Sequence, residues 1–367
     1  MSAPIFVTDD QQLADLAQRW ADAPLLALDT EFQRETTFYP IAGLVQLGTA
    51  DAQYLLDPLQ LTDWTPVQRL FSAPMPKLLH ACSEDLEVFA RLIGTPPQPL
   101  LDTQVGAALA GLGFSLSYQA LVKACLDIEV GKEQTRSDWL RRPLSEAQCH
   151  YAALDVAYLP AIFDFIAERL RGQGRMDWWR EECAATFAAQ REPLDPMQYY
   201  LKLSGGWKLH GEQVAALQQL CAWREHEARA RNVPRGRILK DAQCLDVARL
   251  LPRSLAELAA VPELHPQQVR HDGARVLELV AAARQLPAAE CPPAPAAPLP
   301  REWGERLKRL RQLVDERAQE LAIPAELLAR KRDCETLLRS GELPPALCGW
   351  RRAIIGEPLL ALHKTLG

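Results

Sequence analysis

The sequence predicts an α/β domain with a mixed β-sheet, followed by two small all-helical modules. Short apolar segments separated by polar or Gly/Ala breaks dominate the first part of the chain, as expected of neighbouring strands. Helical spacing of apolar residues takes over further on and continues to the end of the chain. Two linkers rich in proline or glycine, 193–206 and 289–300, divide the chain into a domain at 1–192 and helical modules at 207–288 and 301–367.

Local patterns predict the elements of the first domain in order. Thr8 or Asp9 can cap an opening helix whose one face carries Leu13, Leu16 and Trp20. Strands are predicted at 4–7, 24–31, 43–49, 53–57 and 77–80. Further helices are predicted at 63–72, 83–94, 101–111 and 116–126, and one long helix is predicted to run from Ser145 to about Arg171.

The two helical modules are predicted to be copies of one small unit. In each, a long helix leads to a Val/Ile-Pro corner, Val233-Pro234 or Ile323-Pro324, and then to a second helix. The segment between the modules is too rich in proline for helix or sheet and is predicted to be a semi-extended tether. Helices of the first module are predicted at 211–232, 241–251, 254–260 and 266–286.

Composition indicates a globular protein and excludes several classes. The chain has 367 residues, of which 48% are hydrophobic and 24% charged. We find no apolar run near the ~20 residues that span a bilayer and no signal-peptide pattern, so a cytoplasmic protein without membrane contact is expected. The nine cysteines are scattered and never spaced Cys-x-x-Cys, which argues against a disulfide framework and a zinc site.

Charge is distributed unevenly along the chain. Residues 1–199 hold 15 Lys and Arg against 27 Asp and Glu, whereas residues 200–367 hold 26 against 20. This asymmetry suggests that the first half holds cations and the second meets a polyanion. Ordinary solvated helix faces explain a basic half nearly as well. The basic residues concerned are Arg229, Arg231, Arg235, Arg237 and Lys240 in one cluster and Arg330, Lys331 and Arg332 in another.

Asp29 and Glu31 stand at the end of an apolar strand, one residue apart. Side chains at i and i+2 of a strand share a face, so the two carboxylates are expected to project together. Like charges side by side repel each other, and a bound divalent cation such as Mg²⁺ or Mn²⁺ would neutralise them. A strand that simply runs out into a polar turn is the blander interpretation of the same residues.

Two further motifs add carboxylates and a phenol. Asp85 follows a predicted strand, and Ser83 is expected to cap the helix that Asp85 opens. Tyr151 and Asp155 are spaced i, i+4 in the predicted long helix and so lie on one helix face. Acidic first turns and single polar pairs on helices are common without any function, so each motif is weak by itself.

Together, Asp29, Glu31, Asp85 and Asp155 form a set that can hold two divalent metals roughly 3.5–4 Å apart, as suits in-line phosphoryl displacement. Tyr151 would orient the attacking water by a hydrogen bond, because a phenol with a pKa near 10 is a poor base. The sequence therefore predicts a two-metal site for phosphodiester hydrolysis.

Several ordered motifs resemble those of the ribonuclease D family of four-carboxylate 3′→5′ exonucleases, and the resemblance covers essentially the whole chain. It implies a ribonuclease-H-like fold, metal ligands at Asp29, Glu31, Asp85 and Asp155, and a water-orienting Tyr151. It also implies that the two C-terminal repeats are HRDC-type modules, shared with RecQ-type helicases. The motifs are Leu28–Phe32, Gly43–Leu47, His80-Ala81 with Ser83–Phe89, Leu101–Gln104, Ser137–Leu144 and Tyr151–Val156.

His150 competes with Tyr151 for the role of catalytic helper. Sister exonucleases place a histidine five residues before the last aspartate, and His150 has this spacing from Asp155. At ~100° per residue, however, Tyr151 lies about 40° from Asp155 around the helix and His150 about 140° away. We therefore assign the role to Tyr151.

Other residues are candidates for contacting the substrate. Phe32 could stack on a base, and Gln46 could bond sugar or base, although both are as well explained as sheet residues. A loop ahead of the predicted long helix could close over the terminal nucleotides, with arginines on phosphate and Trp139 stacking or simply packing. The candidates in this loop are Gln134, Arg136, Ser137, Trp139 and Arg142.

The sequence thus predicts a divalent-metal-dependent 3′→5′ exoribonuclease that trims RNA 3′ ends and releases nucleoside 5′-monophosphates. The family resemblance suggests tRNA precursors as substrates, and we expect a monomer. No Gly-x-x-x-x-Gly-Lys loop occurs, so no nucleotide cofactor is expected. A DNA-directed exonuclease and a non-catalytic RNA-binding protein with an exonuclease shell are the alternatives.

Overall fold

A computed structural model describes residues 3–131, 137–191 and 194–366. The chain divides into two compact units. The first contains Met1–Gln33, Pro40–Arg191 and Leu299–Gly367, and the second contains Arg34–Tyr39 and Glu192–Pro298. The segment after residue 298 thus groups with the N-terminal domain.

A six-stranded mixed sheet forms the centre of the first unit, with strand order β1-β4-β3-β2-β5-β6. Strand β2 is interior, antiparallel to β3 on one side and parallel to β5 on the other. The predicted mixed sheet is confirmed, but strand β6 was not predicted. The strands are β1 (Ile5–Val7), β2 (Leu26–Gln33), β3 (Ile41–Gly48), β4 (Gln53–Leu56), β5 (Lys77–Leu79) and β6 (Leu100–Asp102).

The short strand β6 runs directly into a helix, which explains why the sequence pattern concealed it. Asp102 ends the strand and also caps the helix, because its side chain accepts a hydrogen bond of 2.8 Å from the backbone N–H of Gln104. At the opening helix, Asp9 rather than Thr8 is the cap, since Asp9 Oδ1 accepts from Gln12 N at 2.9 Å.

Several helices of the N-terminal domain pack against this sheet. Trp20, Leu13 and Leu16 are buried on the inner face of the first helix, as predicted. The helices are α1 (Asp10–Trp20), α2 (Thr65–Phe71), α3 (Asp85–Leu92), α4 (Thr103–Leu109), α5 (Tyr118–Leu126), α6 (Glu146–Ala157), α7 (Leu159–Gly172) and α8 (Met176–Arg191).

The predicted single long helix is wrong, because the structure breaks it into α6 and α7 at Tyr158. The hydroxyl of Tyr118 enters the break: it donates to Leu154 O at 2.7 Å and accepts from Tyr158 N at 3.3 Å. It thereby stands in for the i→i−4 bond that a continuous helix would make between these two groups. Pro160, in the first turn of α7, has no backbone N–H and cannot donate a helical hydrogen bond to the carbonyl group four residues earlier.

The two helices together form the segment Glu146–Gly172, which has the length and hydropathy of a membrane span. Composition alone does not separate such a span from helices of a protein core. Here Ala152 and Val156 of α6 and Ile162 and Ile166 of α7 are fully buried in the domain.

Four helices after residue 303 complete the first unit, packing on the N-terminal domain. The rings of Trp178 and Trp350 stack with centroids 4.5 Å apart. Glu182 accepts hydrogen bonds from Trp350 Nε1 at 2.8 Å and from Arg351 Nη2 at 2.9 Å. These helices are α14 (Gly304–Leu321), α15 (Ala325–Leu328), α16 (Lys331–Ser340) and α17 (Glu357–Thr365).

The second unit is helical around its own core. Residues 34–39 join it, and Asn232 Oδ1 accepts from the backbone N–H of Phe38 at 3.1 Å and of Tyr39 at 3.0 Å. Its helices are α9 (Glu212–Ala230), α10 (Arg235–Ile238), α11 (Asp241–Leu250), α12 (Leu255–Ala259) and α13 (Pro266–Arg284).

The helices of the two predicted modules have similar lengths. Helices α9, α10 and α11 have 19, 4 and 10 residues, and α14, α15 and α16 have 18, 4 and 10. Both long helices are followed by a residue in the left-handed region, Asn232 with φ of 49° and Ala322 with φ of 51°. The same sharp corner therefore follows the long helix in both copies.

Candidate active site

Strand β2 carries the first two carboxylates to one face of the sheet. Asp29 lies opposite Gln46 of β3, and Glu31 lies opposite Leu44. The register shifts immediately after Glu31, between Glu31 and Phe32. Such a bulge bends a strand and re-aims its side chains. Asp29 and Glu31 thus lie on an interior strand, just before the regular hydrogen-bond ladder between β2 and β3 is interrupted.

Helix α6 covers this face and delivers Asp155. A Cβ atom on Gly48 would lie only 3.0 Å from Val156 O, so the glycine allows the helix to approach the sheet closely. On helix α6, Ala152 is fully buried and Ala153 is nearly so. One ligand oxygen from each of Asp29, Glu31 and Asp155 then lies within 4.8 Å of the others.

The start of α6 is fixed by a capping box at Ser145. Ser145 Oγ accepts from Gln148 N at 3.2 Å, and Gln148 Oε1 accepts from Ser145 N at 3.0 Å. This local signal sets the helix phase, so Tyr151 and Asp155 reach the site from one face.

Asp85 joins the site from the N-terminus of α3. The hydroxyl of the buried Thr30, between Asp29 and Glu31, donates a hydrogen bond to Asp85 Oδ1. The prediction that Ser83 caps this helix is wrong: Glu84 occupies the N-cap position and Asp85 is the first helical residue.

Asp102 holds the turn before α3, a role that was not predicted from the sequence. Its two carboxylate oxygens accept from the backbone N–H groups of Ala81 and Cys82, both at 3.1 Å. Ala81 adopts a φ of 55°, a left-handed conformation that side chains rarely take without support. The signal in the sequence was the motif Leu101-Asp102-Thr103-Gln104, whose bonding partners 20 residues away could not be inferred.

Burial raises the pKa of all four carboxyl groups in the cluster, and repulsion from neighbouring carboxylates raises it further. Burial, followed by the charges of Asp155 and Asp85, raises the pKa of Glu31 from 4.5 to about 9. Burial is also the main cause that raises the pKa of Asp155 to about 7 and of Asp85 to about 6. The pKa of Asp29 is raised well above its usual value by burial and by the other three carboxylates. Without a cation, the cluster therefore retains protons near neutral pH.

Tyr151 is hydrogen-bonded to the Asp155 side chain. Burial and the nearby carboxylates raise the pKa of the Tyr151 phenol, so it stays a protonated donor. Its ring lies 6.2 Å from the Trp139 ring, at an angle of 38°. His150, by contrast, is exposed to solvent. The geometry agrees with the assignment of Tyr151 rather than His150 as the helper.

Trp139 is buried rather than presented to the solvent. It is only 4% exposed, and a Cβ atom on Gly43 would lie 2.8 Å from Trp139 Cβ. Within the described part of the chain, no atom accepts a hydrogen bond from its buried indole Nε1. In this conformation Trp139 supports Tyr151 and offers no free stacking face.

Arg142 is bonded to protein acceptors through all five of its guanidinium donors. Nε and Nη2 each donate to the Asp57 carboxylate at 2.7 Å. Nη1 donates to Trp139 O at 2.8 Å and Arg141 O at 3.0 Å, and Nη2 also donates to Gly43 O at 2.6 Å. This arrangement leaves no donor for a phosphate and instead ties the Trp139 loop to the sheet.

The remaining substrate candidates differ in accessibility. Phe32 and Ser137 are half-buried, whereas Gln46 is fully buried. Neither Oε1 nor Nε2 of Gln46 has a hydrogen-bond partner among the residues that the structure describes. Gln134 and Arg136 lie outside the described residues.

The basic cluster of the second unit is largely compensated by acids. Glu225 is buried and pairs with Arg229 at 2.7 Å and with Arg235. Arg231 pairs with Asp272 at 2.6 Å. Arg237 lines an open groove of about 510 Å³ together with Lys240 and His271.

The site as a whole is suited to a hard divalent cation. Its ligand atoms are carboxylate oxygens within bridging distance of one another, the donor set that Mg²⁺ and Mn²⁺ prefer. The raised pKa values show that the folded chain brings these groups together at an electrostatic cost. A cation in their midst removes that cost.

Family models match two parts of the chain. Residues 4–171 match a 3′-5′ exonuclease model, and residues 213–280 match the HRDC domain model. The first match contains all four carboxylates, and the second lies within the first helical module.

Relatives of this chain match it from end to end. Ribonuclease D of Pseudomonas paraeruginosa is 46% identical over 362 residues, covering 97% of this chain and 96% of the relative. Ribonuclease D of Escherichia coli K12 is 36% identical over 370 residues, covering 98% and 97%. A crystal structure of Escherichia coli RNase D, described as an exoribonuclease involved in structured RNA processing, superposes with a TM-score of 0.93 at 34% identity, covering 100% of this chain and 99% of that one.

Proposed function

This chain belongs to the ribonuclease D family of 3′→5′ exoribonucleases, and on that premise we propose that Asp29, Glu31, Asp85 and Asp155 form its hydrolytic site. The observation that carries the proposal is the convergence of oxygens from Asp29, Glu31 and Asp155 within 4.8 Å. The site would hydrolyse the terminal phosphodiester of RNA and release nucleoside 5′-monophosphates.

The four carboxylates would hold divalent metal, with Mg²⁺ or Mn²⁺ the candidates and two ions expected. Asp29, Glu31 and Asp155 are the nearest ligands to one another, and Asp85 adds a fourth carboxylate from α3. When bound, the metal supplies positive charge that stabilises the negative charge developing on the phosphodiester oxygens.

The chain's own side chains perform the positioning steps. Thr30 donates to Asp85 Oδ1 and thereby fixes one carboxylate oxygen. The Tyr151 phenol keeps its proton, because burial and the carboxylates raise its pKa. It can therefore donate a hydrogen bond to Asp155 and accept one from an attacking water, which orients that water without deprotonating it.

The RNA substrate is proposed to be a structured RNA with a tRNA-like 3′ end. The Escherichia coli relative is described as acting in structured RNA processing, which supports this class. Phe32 and Ser137, both half-buried, are proposed to contact the terminal nucleotides, as are Arg136 and Gln134. Arg237 and Lys240 in the groove of the first helical module are proposed to grip the RNA backbone.

We further propose that the protein works in the cytoplasm as a monomer and that the segment 301–367 is a second HRDC-like module. Its element lengths match those of the module at 207–288. The HRDC model itself matches only residues 213–280, so the likeness of the second copy rests on its architecture.

A time course of 3′-end shortening on a tRNA precursor tests the function directly. We expect stepwise loss of single nucleotides as 5′-monophosphates in Mg²⁺ or Mn²⁺ and no shortening in EDTA. A DNA oligomer of the same sequence, assayed in parallel, should be shortened far more slowly. Shortening that is unaffected by EDTA would contradict the proposed site.

A further inference from the structure

Gln46 lies in the sheet next to the active-site carboxylate of Asp29. It lies in the middle of β3, opposite Asp29 of β2 and opposite Leu55 of β4. Directly paired side chains in an antiparallel ladder point to the same face, with Cβ atoms about 4.5–5.5 Å apart. The carboxamide of Gln46 and the carboxylate of Asp29 therefore stand side by side on the face that α6 covers.

The surroundings of Gln46 are otherwise apolar. Leu44 and Gly48, the neighbours at i−2 and i+2, share its face of β3, and Leu44, Leu55 and Ala152 form one buried cluster there. Gln46 itself is 0% exposed. An aliphatic side chain of the same length would fit this environment better than an amide, so the amide calls for a functional explanation.

Both polar atoms of the Gln46 carboxamide lack a hydrogen-bond partner among the residues that the structure describes. Buried polar groups are nearly always paired, so an unpaired one in the metal-free protein indicates a hydrogen bond that forms only when a neighbouring side chain adopts its ligand-bound orientation. The neighbouring group that could accept a hydrogen bond from this amide is the Asp29 carboxylate, once that carboxylate is oriented to bind metal. A ligating carboxylate is usually held by a hydrogen bond from an outer side chain.

We propose that Gln46 is a positioning residue whose amide Nε2 donates a hydrogen bond to Asp29 and orients that carboxylate towards the metal. This inference rests on the proposed function of the Asp29 cluster. It replaces the sequence-based prediction that Gln46 contacts sugar or base, because a fully buried amide does not face the substrate.

The test measures metal binding by the full chain in the absence of RNA, so that its readout is not activity. Mn²⁺ affinity would be followed by the electron paramagnetic resonance signal of free Mn²⁺. Gln46→Met keeps the side-chain length but removes both polar atoms. Gln53→Met is the matched control, since Gln53 is a buried glutamine of the adjacent strand β4 that pairs with Gly48 rather than with an active-site carboxylate.

We expect Gln46→Met to weaken Mn²⁺ binding by about 10- to 100-fold, the usual effect of removing an outer-shell partner, and Gln53→Met to leave it within about twofold. Turnover of Gln46→Met should recover as Mn²⁺ is raised, with the KM for RNA unchanged. A wild-type Mn²⁺ affinity in Gln46→Met would overturn the proposal. So would a raised KM for RNA at unchanged metal affinity, which would return Gln46 to substrate binding.

A second measurement needs no substitution and so does not depend on how a variant folds. In the ¹⁵N-labelled wild-type chain, titration with Mg²⁺ should shift the side-chain amide resonances of Gln46 and leave those of Gln53 in place. Resonances of Gln46 that stay fixed while Mg²⁺ binds would refute the inference. If Asp29→Asn retained wild-type turnover, the proposed function itself would fail, and that outcome is distinct from either result for Gln46.

Discussion

The hydroxyl of Thr30 donates a hydrogen bond to the carboxylate of Asp85, 55 residues away in sequence. This bond joins strand β2, which carries Asp29 and Glu31, to the first residue of helix α3. Asp29 and Glu31 flank Thr30 and point to the other face of the same strand. Three consecutive residues therefore supply two carboxylates and the hydroxyl that holds a third.

Removing the Thr30 hydroxyl should misplace Asp85 without unfolding the chain. Thr30→Val has nearly the same shape but cannot donate, and we expect kcat to fall by about 10- to 100-fold, as is usual when an outer-shell partner of a metal ligand is lost. Thr30→Ser keeps the donor and should retain most of the activity. Equal turnover of the Val and Ser variants would show that the bond does not position Asp85.

The raised pKa of Glu31 makes the stability of the metal-free protein depend on pH. Its pKa is 4.5 in an ordinary environment and about 9 in the folded chain. Between these values the folded state binds more protons than the unfolded state, so the free energy of unfolding contributed by this group falls as pH rises.

Urea denaturation in EDTA at pH 6 and pH 8 measures this effect. We expect the free energy of unfolding to fall more between the two values in the wild type than in Glu31→Gln, which cannot ionise there. Adding Mn²⁺ should restore stability more at pH 8 than at pH 6, because metal binding displaces the protons. An identical pH response in the two proteins would rule out the raised pKa of Glu31.

Separate replacements of Tyr151 and His150 distinguish the two helper residues. Tyr151→Phe removes the hydroxyl that bonds Asp155 and should lower kcat by about 10²–10⁴-fold, the range for a proton-handling or water-orienting group. His150→Ala, at an exposed position of the same helix, should leave kcat within about twofold. The reverse pattern in single-turnover assays would assign the role to His150.

Arg142 is expected to act on structure rather than on RNA binding. Arg142→Lys keeps the charge but cannot reproduce the guanidinium fork on Asp57. We expect the free energy of unfolding to fall by about 2 kcal/mol and the KM for RNA to change less than about twofold.

Arg141→Lys, at the exposed neighbouring position, is the matched control for stability. A tenfold rise in KM for Arg142→Lys with unchanged stability would instead support the sequence-based prediction that Arg142 binds substrate.

Local patterns in the sequence were sufficient for much of the fold and of the carboxylate set. Strand periodicity predicted that Asp29 and Glu31 share a face of the sheet. Helix periodicity predicted that Tyr151 and Asp155 lie on one face of their helix. The capping box at Ser145 fixes that helix phase through residues only three apart, which explains why the prediction succeeded.

Features that depend on distant residues could not be predicted in this way. Tyr118 breaks the predicted long helix from 36 residues away. Asp57 accepts two of the five guanidinium hydrogen bonds of Arg142 across 85 residues, and backbone carbonyls accept the other three, so a residue that looked available for phosphate is occupied. The position of Gln46 opposite Asp29 likewise follows from the sheet register, and no local pattern specifies that register.

Metal binding and turnover of Asp29→Asn are the sharpest test of whether Asp29 belongs to a hydrolytic metal site. The substitution keeps the shape of the side chain and removes the charge, and Asp164→Asn, at an exposed position of α7, serves as the control. We predict that Asp29→Asn loses metal-dependent trimming of a tRNA precursor and binds Mn²⁺ at least about tenfold more weakly, whereas Asp164→Asn matches the wild type. Wild-type trimming by Asp29→Asn in Mg²⁺ would contradict a hydrolytic site built on this carboxylate.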